Sequence, residues 1–171
     1  LIIHLWETLF AAEGKPDGIW FYEDMGFKGR PFMSPEMYRE LIMPAHRKTI
    51  DFAHSLGLPV VMHSCGFVEP LLPYMVEAGI DCLQAMEVKA GMDLLRIYRD
   101  FGEKIALMGG LDVRPVANND LPGIRRELET RIPIVKGRNG FILHSDHSIP
   151  ESAEYESYRY FLEIGLELGR Y

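Results

Sequence analysis

Cysteine is scarce: the chain has two, Cys65 and Cys82. Two cysteines in a chain of this size do not make a disulfide framework, and a reducing, cytoplasmic setting is expected. Long apolar runs are also missing. No stretch approaches the ~18–20 consecutive apolar residues of a membrane span. Positive charge is in deficit, with 18 Lys+Arg against 25 Asp+Glu and a formal net charge of −7. That balance argues against binding a nucleic-acid backbone, which needs a basic face. Neither a GxGxxG nor a Walker motif follows any apolar run, so nucleotide binding has no direct support. What is present is ordinary globular material: 47% hydrophobic and 25% charged residues, enough to bury a sizeable core.

Five short apolar runs recur: Gly18–Glu23, Pro59–His63, Ile80–Gln84, Lys104–Met108 and Gly140–His144. Each has the length of a buried strand, and none alternates strictly, as expected for parallel strands covered on both faces. Helical patterns separate them. Ser34-Pro35-Glu36 reads as a helix start, with Ser as cap and an acid near the positive end of the dipole. That helix runs to Gly57, with Pro44 expected to kink or split it. Further helices are expected over Val68–Glu77, Met92–Phe101, Leu121–Val135 and Glu151–Leu168. The opening LIIHLWETLFAAEG reads as a helix already under way at Leu1. Alternation of this kind gives a parallel sheet with right-handed crossovers. Both an open doubly wound sheet and part of a (β/α)8 barrel satisfy it.

The polar and glycine residues gather where each run ends: Glu23 and Asp24, then His63-Ser64-Cys65-Gly66, Gln84, Gly109-Gly110-Asp112, and His144, Asp146 and His147. In parallel α/β folds that rim binds ligands. On an extended chain His63 and Cys65 project to one side, and imidazole and thiolate are both zinc ligands. Catalytic zinc takes three protein ligands, so the third must come from another strand end. By type, His147, Asp146, His144, Glu23 and Asp24 all qualify. Asp146-His147 also suits proton transfer, or a ligand and its partner, or simply the approach to the last helix. Cys82 lies near the start of its run and is expected in the core. His46 and His54 are expected to face solvent or pack within a helix.

The segments YEDMGFKGRPFMSPEMYRELIMP, VVMHSCGFVEPLLPYMVEAGIDCLQ, ALMGGLDVRPV and FILHSDHSIP, in this order, resemble the uroporphyrinogen decarboxylase superfamily. The resemblance runs from about Gly18 to the end of the chain. It implies an α/β fold, the C-terminal portion of a (β/α)8 TIM barrel with about five βα units, as one domain over residues 1–171. A whole barrel takes about 250 residues, so the first three units are expected to be missing.

The superfamily includes the haem-pathway decarboxylase and zinc-dependent, corrinoid-linked methyltransferases. The methyltransferase branch carries a His-x-Cys zinc motif, matched by His63 and Cys65, and a third ligand, usually Cys, near the last strand. Here that place reads Ser145–His147, so Asp146 or His147 would stand in. The decarboxylase branch has an Asp-Ser pair and a Gly-His-Gly. The corresponding places read Glu23-Asp24-Met25 and Asp146-His147-Ser148. The resemblance thus implies Zn²⁺ held by His63, Cys65 and His147, with Glu23, Asp24 and Asp146 in catalytic roles. Gln84, Asp112 and His144 would contact a small-molecule substrate, a thiol or a tetrapyrrole. A corrinoid, carried by a separate protein, would donate the methyl group, and a homodimer is expected. The alternatives are cofactor-free porphyrinogen decarboxylation and a non-catalytic barrel fragment.

Overall fold

The computed structural model describes residues 1–138 and 140–170. The elements, in order, are α1 (Ile2–Glu13), β1 (Ile19–Tyr22), β2 (Gly26–Phe27), β3 (Arg30–Pro31), α2 (Pro35–Met37), α3 (Met43–Ser55), β4 (Val60–Ser64), α4 (Leu72–Ala78), β5 (Cys82–Ala85), α5 (Leu94–Phe101), β6 (Ala106–Gly109), α6 (Arg114–Ala117), α7 (Leu121–Val135), β7 (Phe141–Ile142) and α8 (Tyr155–Gly169). No helix of the described residues is long and apolar enough to cross a membrane.

Five strands form one parallel sheet in the order β1-β4-β5-β6-β7. Each crossover therefore moves one strand along in the same direction. Right-handed crossovers that never reverse put every connecting helix on one face. That is the winding of a barrel wall; a doubly wound sheet needs a reversal, and none occurs here. Strand β1 shows the two faces. Ile19 and Phe21 are 8% and 9% exposed against the helix layer, while Trp20 and Tyr22 are 49% and 77% exposed on the other side. Between sheet and helices lies a continuous apolar core that includes Ile50, Met62, Leu72, Met75, Leu83 and Leu107.

Local sequence explains the starts of α2, α5 and α7. The Ser34 hydroxyl accepts from the Met37 N–H at 3.2 Å, as the capping pattern requires. Asp93 and Asp120 cap α5 and α7 through the N–H groups of Arg96 and Gly123. The helix begun at Ser34 does not simply kink at Pro44. A π-helical turn, Tyr38–Ile42, precedes α3, and the Met43 N–H bonds to the Tyr38 carbonyl. Pro44 has no N–H to offer the carbonyl four residues back, so the chain widens by one residue there. The hairpin β2–β3 and the short α6 lie within stretches the sequence pattern leaves as loop. The last strand is shorter than its apolar run. Gly109 and Gly110, both at positive φ, break the extension of β6. Pairing resumes only as a single bridge between Leu111 and Ser145. The helix expected over Val68–Glu77 opens as a 3₁₀ turn, Glu69–Leu71, before α4.

Candidate metal centre

The C-terminal ends of β1, β4 and β5 meet at one place. Across these strands Tyr22 is in register with His63, and His63 with Gln84. Residues in register on adjacent strands share a face, so the three side chains form a row on the side away from the helices. Asp24 and Cys65 continue β1 and β4 just beyond that row. A cavity of about 370 Å³ opens there, lined by Trp20, Tyr22, Asp24, His63, Cys65, Gln84, His144, Asp146 and His147 among others.

Within it, Asp24, His63 and Cys65 present one carboxylate oxygen, one imidazole nitrogen and one sulfur, all within 4.8 Å of one another. His63 Nε2 lies 3.2 Å from Asp24 Oδ1 and 3.5 Å from Cys65 Sγ. Bond lengths of about 2.0–2.3 Å to zinc imply ligand separations of about 3.3–3.8 Å around a tetrahedron. The Asp24–His63–Cys65 set therefore fits a zinc ion in donor type, and its two separations from His63 Nε2 lie close to that range. The backbone holds the set in place. The Cys65 N–H donates to Asp24 Oδ1 at 2.9 Å, and the Met25 N–H donates to the Ser64 hydroxyl at 3.0 Å. The Gly66 N–H donates to Glu87 at 2.9 Å. Burial pushes the Cys65 thiol up to about 11, and the charges of Asp24 and Glu87 push the same way. Both causes disfavour a bare thiolate, and a cation between these groups would reverse the second.

Gly66 makes the arrangement possible. It adopts φ +78°, and a Cβ there would lie 2.2 Å from the Gly26 backbone. The hairpin thus crosses directly over the end of β4, fixed by bonds from the Phe67 N–H to the Phe27 carbonyl and from the Gly29 N–H to the Ala90 carbonyl.

The other expected site residues are distributed as follows. His144 and His147 line the cavity beside the cluster. Asp146 also lines it, but is 1% exposed, and its two oxygens accept the N–H groups of Val88 and Val113, each at 2.8 Å. Its carboxyl is raised from the ordinary value, chiefly by burial. Expected as a third ligand or an acid–base group, it ties three rim loops together. Gln84 faces His63, with its Oε1 against the ring's Nδ1. Asp112 is engaged by the Arg114 guanidinium at 2.5 Å and is not among the cavity-lining residues. Glu23 is likewise absent from the lining. Its charge acts on Tyr38 and His46, which are hydrogen-bonded to each other at 3.0 Å. His46 is thus buried rather than solvent-facing, whereas His54 is exposed and pairs with Asp81. Tyr22, which sequence reasoning passed over, stacks on the His63 ring with centroids 4.0 Å apart. The signal was available: Tyr22 lies two residues before Asp24 on an extended chain, hence on the same face.

Comparison with known proteins places this geometry in context. The family model described as uroporphyrinogen decarboxylase (URO-D) matches residues 26–167. A methylated-thiol–coenzyme M methyltransferase of Methanosarcina mazei is 32% identical over 93 residues, 53% of this chain and 23% of its own length. A uroporphyrinogen decarboxylase of Carboxydothermus hydrogenoformans is 27% identical over 138 residues, 80% of this chain and 38% of its own. The chain therefore spans well under half of either relative. A solved methyltransferase structure from Methanosarcina mazei superposes with a TM-score of 0.68 at 21% identity, covering 92% of this chain and 44% of that one. That likeness is one of fold. With the family model covering most of its length, the chain belongs to the uroporphyrinogen decarboxylase family.

Proposed function

We propose that this chain carries a zinc-binding half-site of a methyltransferase that delivers a methyl group from a corrinoid to a thiol. The observation that carries the reading is the Asp24–His63–Cys65 cluster at the sheet's C-terminal edge. The relative named for methyl transfer from methylated thiols to coenzyme M supports it, over the segment it shares with this chain. Asp24, His63 and Cys65 would hold the ion, with Asp24 in the place expected of Asp146 or His147. When bound, zinc supplies a Lewis acid at which a thiol ionises near neutral pH.

The chain's own groups do the rest. Asp24 stays fixed by the Cys65 N–H and keeps one oxygen against His63. His144 and His147 line the same cavity and are positioned to contact the incoming thiol. Trp20 and Tyr22 offer an apolar wall to the methyl-bearing partner. That partner is a corrinoid, carried on a separate protein.

Metal analysis of the purified protein, before and after EDTA, tests the reading. One zinc per chain is expected. Cys65→Ser and Asp24→Asn should each weaken it by at least about 100-fold, more than loss of an outer partner does. Undiminished zinc in Cys65→Ser would overturn the assignment. Transfer of methyl from methylcobalamin to a thiol, lost in the same variants, is the matching activity assay.

One observation favours a second reading. The relative named uroporphyrinogen decarboxylase aligns with 80% of this chain. Porphyrinogen decarboxylation would need cations to hold an acidic macrocycle. Among the described residues the cavity lining offers Asp24 and Asp146 and neither Lys nor Arg. Release of CO₂ from uroporphyrinogen by zinc-free protein would establish the second reading over the first.

A further inference from the structure

We infer that Gln84 is a positioning residue: it fixes His63 in the tautomer whose bare nitrogen faces Asp24 and Cys65. The inference rests on the metal-site reading for its consequence, but not for its geometry. A neutral imidazole carries one proton, and the hydrogen bond made by one nitrogen decides which lone pair remains free. Gln84 Oε1 lies against His63 Nδ1. An amide oxygen only accepts, so Nδ1 carries a proton, and in the neutral ring Nε2 is the nitrogen left bare. Nε2 is the atom within 3.2 Å of Asp24 and 3.5 Å of Cys65.

The fold enforces this pairing. His63 and Gln84 are register partners on adjacent parallel strands, and both are about 95% buried, with 4% and 5% exposed. Water is therefore a poor competitor for Nδ1. On the opposite side of the ring, Tyr22 stacks at 4.0 Å with an interplanar angle of 20°. One neighbour strand holds the ring's plane, and the other holds its proton. Gln84, which also lines the cavity where it was expected to contact substrate, thus acts through His63.

Two measurements on the full-length protein test the inference. The first needs no metal: ¹⁵N shifts of His63 in metal-free protein at alkaline pH report the tautomer. Wild type and Gln84→Glu, which keeps an acceptor, should show the proton on Nδ1. Gln84→Met, of similar shape without an acceptor, should shift population to the Nε2-protonated form. The second is Zn²⁺ affinity by chelator competition. Gln84→Met should bind about 10–100-fold more weakly, the range for loss of a partner behind a ligating histidine. Gln84→Glu should stay within a few-fold of wild type. A wild-type proton on Nε2, or equal tautomers and affinities in wild type and Gln84→Met, would overturn the inference. Wild-type protein with the Nδ1 tautomer but no Cys65-dependent zinc would instead remove the metal reading and leave the positioning role. Circular dichroism of Gln84→Met, matched to wild type, separates its effect from misfolding.

Discussion

The two cysteines differ in environment although they differ little in sequence. Cys82 is 5% exposed, and burial raises its thiol to about 12. Cys65 is partly open to the cavity. Thiol chemistry needs both access and thiolate character. Both thiols are raised, so access is what separates them: native, metal-free protein treated with iodoacetamide at alkaline pH should be labelled slowly on Cys65 and spared on Cys82. Added Zn²⁺ should protect Cys65. Peptide mass mapping reads both, and labelling of Cys82 before unfolding would contradict the burial. The sequence showed which of the two belongs to the core, because Cys82 begins its strand while Cys65 follows the end of one. It did not show that Asp24 is the carboxylate beside Cys65. That depends on strands β1 and β4 being neighbours, 41 residues apart in the chain.

At the scale of elements, the crossing of the hairpin over β4 is the joint that assembles the site. It requires glycine on both sides, since Gly66 at φ +78° has Gly26 backbone within 2.2 Å of any Cβ. Gly66→Ala combines a left-handed strain with an overpacked contact, each of order 1–3 kcal/mol. The variant should lose at least about 2 kcal/mol of stability in urea unfolding. It should also bind zinc more weakly, because Asp24 lies between β1 and the displaced hairpin. Unchanged stability would mean that the crossing is not tight in solution. The five strands were legible as apolar runs, and the helix from Ser34 was legible from its cap. The hairpin was not, because two residues per strand carry no periodicity. The π-helical turn was not either: Pro44 announces a missing hydrogen bond but not how the backbone accommodates it.

The whole molecule responds to pH through groups buried between layers. His46 is 6% exposed, bonded to Tyr38, and its pKa is lowered by burial from an ordinary 6.5, with Glu23 offsetting part of the fall. Below 6.5 the unfolded chain takes up a proton that the folded chain refuses. Stability from this residue is therefore complete above that pH and is lost as pH falls towards the folded value. One such group changes stability by at most about 1.4 kcal/mol per pH unit. Asp146 acts in the opposite sense and lower on the scale: its raised carboxyl makes stability fall as pH rises above 3.8. Thermal melts between about pH 7 and about pH 5 should show a decline that His46→Gln makes shallower. An identical slope in that variant would assign the decline to other groups.

By itself, the sequence determined the alternation of strands and helices, the apolar core positions, and the placing of His63 and Cys65 on one side of a strand end. These are local matters of periodicity, capping and the twofold repeat of an extended chain. Only the tertiary structure decided which strands are neighbours. Sequential pairing without reversal chose the barrel-type winding over the doubly wound sheet. It also brought Asp24 rather than Asp146 into the cluster, and turned Gln84 and Tyr22 towards His63. Each of those contacts spans strands far apart in the chain, and its register is set by how whole faces pack. No local pattern carries that information.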